Sequence, residues 1–257
     1  MARTQKSELS SKLLATIAIT SVLSVYEFVD AADDQAIGAD SFLSRGIGYL
    51  EQGRHELAIA AFEQAIKKDP QQSEAYNGLG NAYVLMGNYE RAINAFSKVV
   101  EINPSFGLVY NSRGFAFQNV GRPVEALNDY TRAIELDPHN FVAYLNRADL
   151  HMNSTQYQAA IADFTRVLEL RPHWSVIHNN RGVAYTSLGQ YDLAVQDHSR
   201  AIEIDPNSAR AYVNRASAYL GLHEYDRAWA DVELAQKMGQ GVSEEFLNQL
   251  RSASKKQ

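Results

Sequence analysis

Prolines divide this chain at regular intervals. Six occur in 257 residues, and five of them, Pro70, Pro104, Pro138, Pro172 and Pro206, lie 34 residues apart. They close the phrases AIKKDP, VVEINP, AIELDP, VLELRP and AIEIDP. A fixed period of this length means a small supersecondary unit copied in tandem, each copy covering the apolar face of the next. With the proline as position 32, the copies begin at Ala39, Ser73, Gly107, Phe141, Ser175 and Ala209, and the sixth has Gln240 in place of proline.

Two helices are expected in each copy. In AIAAFEQAI, residues 58–66, apolar groups recur at steps of three and four, the helical period. Position 8 is small throughout: Gly46, Gly80, Gly114, Ala148, Gly182, Ala216. Position 20 is alanine six times: Ala58, Ala92, Ala126, Ala160, Ala194, Ala228. These residues let two helices approach closely. Bulky groups at position 11 (Tyr49, Tyr83, Phe117, His151, Tyr185, Tyr219) and position 24 (Phe62, Phe96, Tyr130, Phe164, His198, Val232) fill the space around the contact. Turns such as EQGRHE, LMGNYE and SLGQYD supply a glycine to end the first helix. Pro123 falls where the third copy's second helix begins, the position at which proline is best tolerated.

Period, small residues, aromatic slots and terminal proline resemble the tetratricopeptide repeat, over about Ala39 to Gln240. The resemblance implies an all-α, right-handed superhelical α-solenoid of six helix-turn-helix units, 39–72, 73–106, 107–140, 141–174, 175–208 and 209–240. It also implies that the first helix of each pair lines a concave groove, with positions 2, 5, 6, 9, 12 and 13 facing it. Residues 241–257 read as a capping helix and charged tail: Val242, Phe246, Leu247 and Leu250 share one face, and Ser243 with Glu244 and Glu245 suits a helix start.

One polar phrase recurs along the chain: YNSRG, YLNRA, HNNRG and YVNRA. Its arginine is position 7: Arg45, Arg113, Arg147, Arg181 and Arg215. Position 23, on the second helix, reads Ala61, Ala95, Asp129, Asp163, Asp197 and Asp231. Pairing within a copy matches four of the five arginines, whereas pairing with the preceding copy's aspartate matches three, so the count favours the first. Structural ion pairs are expected at Arg113–Asp129, Arg147–Asp163, Arg181–Asp197 and Arg215–Asp231, because charge near a packed seam is normally paired.

The asparagines suggest binding. Asn146, Asn180 and Asn214 occupy position 6; Asn77, Asn111 and Asn179 position 5; Asn81 position 9; and Asn119 and Asn153 position 13. A carboxamide offers a donor and an acceptor side by side, which is what a peptide backbone needs from a partner. Groove positions implied by the resemblance also carry Phe115, Leu145, Met152, Val176, Val183, Val213 and Leu220. A peptide-binding set is therefore expected at Asn77, Asn81, Asn111, Asn146, Asn153, Asn179, Asn180, Asn214, Phe115 and Met152. Alanine at Asn146, Asn180 and Asn214 is expected to abolish peptide binding with the fold intact. Charge on those positions is sparse: Asp40, Glu51, Glu74, Asp149 and Arg210. With one arginine and no lysine, they do not suit the carboxylate clamp of the family's chaperone adaptors.

No catalytic pattern emerges. The seven histidines form no HExxH, and neither a Gly-rich phosphate loop nor GxSxG is present. His151 and His198 replace core aromatics and read as packed rings with one hydrogen bond each. Absence of cysteine removes disulfides and thiol chemistry. A net charge of −6 gives no basic field for nucleic acid. We expect no enzyme activity, no cofactor and no metal site.

The N-terminus carries Arg3, Lys6 and Lys12, then the uncharged run LLATIAITSVLSVY from Leu13 to Tyr26. Its 14 residues fall short of the roughly 20 a membrane span needs, but suit a secretory signal. Val29 and Ala31 fit the small-residue rule for cleavage after Ala31, which makes 1–31 a signal peptide and 32–38 a linker. The alternative is an uncleaved anchor, with residues 13–26 tethering the protein to a membrane. The expected product is a periplasmic or secreted adaptor or scaffold that binds an extended peptide of another protein in its groove. The alternative is a self-associating structural protein whose function lies in homo-oligomer interfaces.

Overall fold

The computed structural model describes residues 38–255; the expected signal segment and its cleavage point lie outside the described residues. Thirteen helices and no strand occur among the described residues. The chain divides into two bodies. The N-terminal body, up to Ala143, holds α1 (Ala39–Glu51), α2 (His55–Lys68), α3 (Ser73–Leu85), α4 (Tyr89–Ile102), α5 (Gly107–Asn119), α6 (Pro123–Leu136) and the first residues of α7 (Phe141–Asn153). The C-terminal body, from Tyr144, holds the rest of α7, then α8 (Tyr157–Leu170), α9 (Ser175–Ser187), α10 (Tyr191–Ile204), α11 (Ala209–Gly221), α12 (Tyr225–Lys237) and α13 (Glu244–Ser254).

Each 34-residue copy is one helical hairpin, and the turn between its helices follows from position 15. Gly53, Gly87, Gly121 and Gly189 stand there with φ between 71° and 75°, the left-handed conformation that glycine adopts without steric cost. Thr155 and His223 take the same position and the same conformation, at φ 58° and 62°, without that freedom. Pro123 opens α6, where its missing N–H costs nothing.

The hairpins close on the small residues. A Cβ added to Gly46 would come within 2.5 Å of the Phe62 ring, so a larger residue there would force the ring to shift for α1 and α2 to meet. Phe62, Phe96 and Tyr130 are fully buried in the N-terminal body, as are Phe164 and His198 in the C-terminal body. Tyr130 keeps its hydroxyl satisfied by donating to Gln118 Oε1 at 2.8 Å. In the N-terminal body the first helices α1, α3 and α5 touch in succession, and in the C-terminal body α9 touches α11, while the second helices α2, α4, α8 and α10 pack on the first helices that follow them. The first helices α1, α3 and α5 thus form one layer in the N-terminal body, and α9 and α11 adjoin in the C-terminal body.

Helix α13 covers the last hairpin. Ser243 caps it by accepting from the Phe246 backbone N–H at 3.3 Å. Leu247 and Leu250 are buried against Ala216, Ala228 and Val232, with Val242 and Phe246 packed at the edge.

Candidate functional site

The repeated arginines are held from three directions. Arg113 donates through Nε and Nη2 to the two carboxylate oxygens of Asp129, both at 2.8 Å. Arg147–Asp163 (2.9 and 2.8 Å), Arg181–Asp197 (2.7 and 2.8 Å) and Arg215–Asp231 (both 2.8 Å) repeat this fork. The aspartates are buried and the arginines nearly so. A third donor, Nη1, reaches back to the preceding repeat: Arg113 to Ser97 Oγ at 3.2 Å, Arg181 to Thr165 Oγ1 at 2.9 Å, Arg215 to Ser199 Oγ at 3.0 Å. Aromatic rings at positions 4 and 11 flank the guanidinium, as Tyr212 and Tyr219 flank Arg215 at 5.6 and 5.7 Å. Hydrogen bonding to the aspartates raises the pKa of Arg147, Arg181 and Arg215. Burial would lift the Asp197 carboxyl, but hydrogen bonds from Arg181 and His178 outweigh it and hold the carboxyl low. Each arginine therefore fastens its own hairpin, and three of them visibly fasten the previous repeat as well. The hydroxyl at position 25 had no signal of its own in the sequence, since Ser and Thr on a helix surface ordinarily face water.

The asparagines separate into two groups. Asn77, Asn81 and Asn111 in the N-terminal body, and Asn146 and Asn179 in the C-terminal body, are buried in the free chain. Asn179 Oδ1 accepts from Asn214 Nδ2 at 3.0 Å and from the His198 ring at 3.0 Å, joining consecutive repeats. Alanine at Asn146 or Asn214 would thus disturb packing along with any groove contact, so the triple alanine replacement does not leave the fold untouched. Asn153 is exposed, while Asn180, Asn214, Met152 and Phe115 are partly so. Phe115 meets the Tyr89 ring edge-on at 6.1 Å within the N-terminal body. Leu145 is buried.

Two histidines complete the interior. His198 is fully buried, its Nδ1 bonded to Asn179, its Nε2 without a hydrogen-bond partner. Burial pushes its pKa down to about 4. His151 Nδ1 lies 2.6 Å from Gln156 Oε1. No group of three His, Asp or Glu side chains among the described residues is placed to hold a metal ion.

Exposed apolar groups occur on both helices of the hairpins, Val124 on α6 and Leu193 on α10 among them, and those on the first helices stand beside amide groups. In the N-terminal body, Leu85 and Leu108 are exposed and Phe115 partly so. In the C-terminal body, Val176 is 56% exposed on α9, with Asn180 and Val183 one and two turns further along the helix. Helix α11 adds Val213, Ser217 and Leu220, and α7 adds Asp149, Met152 and Asn153. These apolar and amide groups are left over after packing, and they define the candidate interface.

Tetratricopeptide-repeat family models match residues 43–105, 108–140 and 175–208, and 129–162 and 199–230. The chain belongs to the tetratricopeptide-repeat family, and its fold class is the family's α-solenoid of helical hairpins. Such proteins serve as protein-interaction scaffolds. No match was found among curated protein sequences. Among solved structures, MamA is 25% identical with a TM-score of 0.60, over 63% of this chain and 94% of its own. YrrB, described as a TPR protein with an unusual peptide-binding site, is 25% identical with a TM-score of 0.61, over 67% of this chain and 89% of its own. Pseudomonas aeruginosa PilF, at 17% identity and a TM-score of 0.64 over 85% of this chain and 97% of its own, shares the fold.

Proposed function

We propose that this protein is a non-enzymatic adaptor or assembly scaffold that holds an extended peptide segment of a partner protein on the inner face of its first helices. The observation that carries the reading is the run Val176, Asn180, Val183 on α9, in which apolar and amide groups alternate along one helix face, Val176 exposed and the other two partly so. The peptide-binding site named for YrrB, a structural neighbour at 25% identity, supports it. Amide bonds contribute about 0.5–1.5 kcal/mol each, so several of them plus apolar contacts are needed to approach the roughly 8 kcal/mol of micromolar binding. On the signal segment expected from the sequence of residues 1–31, we place the protein in a bacterial periplasm, where the partner would be another envelope protein.

A photo-crosslinking amino acid at position 176 tests the reading in cells, with the same group at Leu193, exposed on α10, as the control. A heterologous protein captured from 176 and not from 193 is the expected result. Equal capture at both positions, or capture only of further copies of this chain, would replace the reading with surface stickiness or self-assembly.

A further inference from the structure

Asp149 does not follow the repeat. It occupies position 9, where the other copies carry Ile47, Asn81, Phe115, Val183 and Ser217. The hairpin therefore requires no charge there. Asp40, Glu51 and Glu74, the other carboxylates on first helices, sit in end turns, whereas Asp149 is in the interior of α7. Aspartate is among the poorer residues for a helix interior. Asp129, Asp163, Asp197 and Asp231 are each locked by an arginine, but Asp149 makes no hydrogen bond or ion pair among the described residues. It keeps part of its surface open to solvent. The protein packed around it still lifts its carboxyl to about 7, through burial alone and with no charged neighbour contributing. A carboxylate that weakens its helix and its own ionisation costs the fold stability, which is the pattern of a binding residue.

We propose that Asp149 is the charge-reading group of the C-terminal body's inner face and receives the cationic side chain of a lysine or arginine in the bound segment. This rests on the peptide-binding reading above and gives the partner a chemistry: an extended segment with a basic residue among small or apolar ones. Met152 and Asn153, three and four residues on along the same helix face, would border the stem of that side chain and the adjoining backbone. A poorly solvated carboxylate without a partner gains more from an incoming cation than one already in water, because its desolvation has been met by the fold. A metal ion is the weaker fit, since no group of three His, Asp or Glu side chains among the described residues is placed to build a coordination shell.

The test uses the full chain and three pools of fluorescein-labelled nonapeptides, blocked at both ends. They are random in Ala, Leu, Ser and Asn and carry a central lysine, norleucine or glutamate. Fluorescence polarisation should show the lysine pool binding about tenfold more tightly than the norleucine pool, with glutamate weakest. The lysine-to-norleucine ratio should fall to near one in Asp149→Asn and in Asp149→Leu. Both variants should fold, since asparagine and bulky apolar residues occupy this position in other repeats, and a thermal melt checks it. Pools that bind without a lysine preference, or a preference that survives both substitutions, would overturn the proposal and leave the peptide-binding reading standing. If no pool binds at all, both are overturned.

Discussion

His198 holds the most informative polar atom in the interior. Its Nδ1–H donates to Asn179, so Nε2 carries a lone pair into a site with no donor. Protonation would place an N–H there with no acceptor, and burial sets the folded pKa at about 4, below the ordinary value of 6.5. The unfolded chain therefore takes up this proton first. Stability should be fully present above about pH 6.5 and decline as pH falls toward 4, by on the order of 3 kcal/mol from this group. His198→Phe should flatten that slope, because Phe62 and Phe96 fill the same slot opposite glycines at the same position. Chemical denaturation at pH 7 and pH 4.5 checks it, and an equal slope in both proteins would refute the assignment. At the same scale, Asp231→Ala strands the Arg215 guanidinium and should cost about 3 kcal/mol. Ser199→Ala removes only the third hydrogen bond and should cost about 1 kcal/mol.

Among the elements, the hairpin turn carries stored strain in two places. Thr155 is β-branched and left-handed, a conformation that costs an L-residue about 1–2 kcal/mol. Thr155→Gly should stabilise the C-terminal body by about 0.5–1 kcal/mol after the added freedom of the unfolded chain is subtracted. His223→Gly should gain less, because His223 Nδ1 lies 2.9 Å from the Tyr225 hydroxyl and that contact would be lost. Differential scanning calorimetry of the two variants separates these effects. Such positions show how far the sequence could be read. The prolines, the alanines at position 20 and the turn glycines predict hairpins because each reports a local steric demand. The in-repeat arginine–aspartate match was readable by counting. The burial of Asn77, Asn111 and Asn179 was not, because an amide serves a groove or a seam equally well and only the packing of the next repeat decides. The solitude of Asp149 was hidden for the same reason: a missing partner leaves no trace in a residue's own identity.

For the whole molecule, stability in a repeat array is a sum of local hairpin terms and contacts between neighbours. Helix α13 matters to one end only. It supplies Leu247 and Leu250 to a cluster that holds Val232 and the alanines Ala216 and Ala228 of the last hairpin. Each fully buried leucine contributes about 2 kcal/mol. A chain ending at Gln240 should therefore lose about 4 kcal/mol locally and expose the apolar side of α11 and α12. Hydrogen exchange should rise by orders of magnitude in those two helices, while amides of α1 to α5 keep their protection. Uniformly faster exchange would mean that the two bodies unfold as one cooperative unit, and the nearest-neighbour description would have to be abandoned. The truncated chain should also self-associate with rising concentration in light scattering, since the uncovered leucine sockets face solvent. That behaviour would make α13 the device that keeps this end of the scaffold from joining another copy.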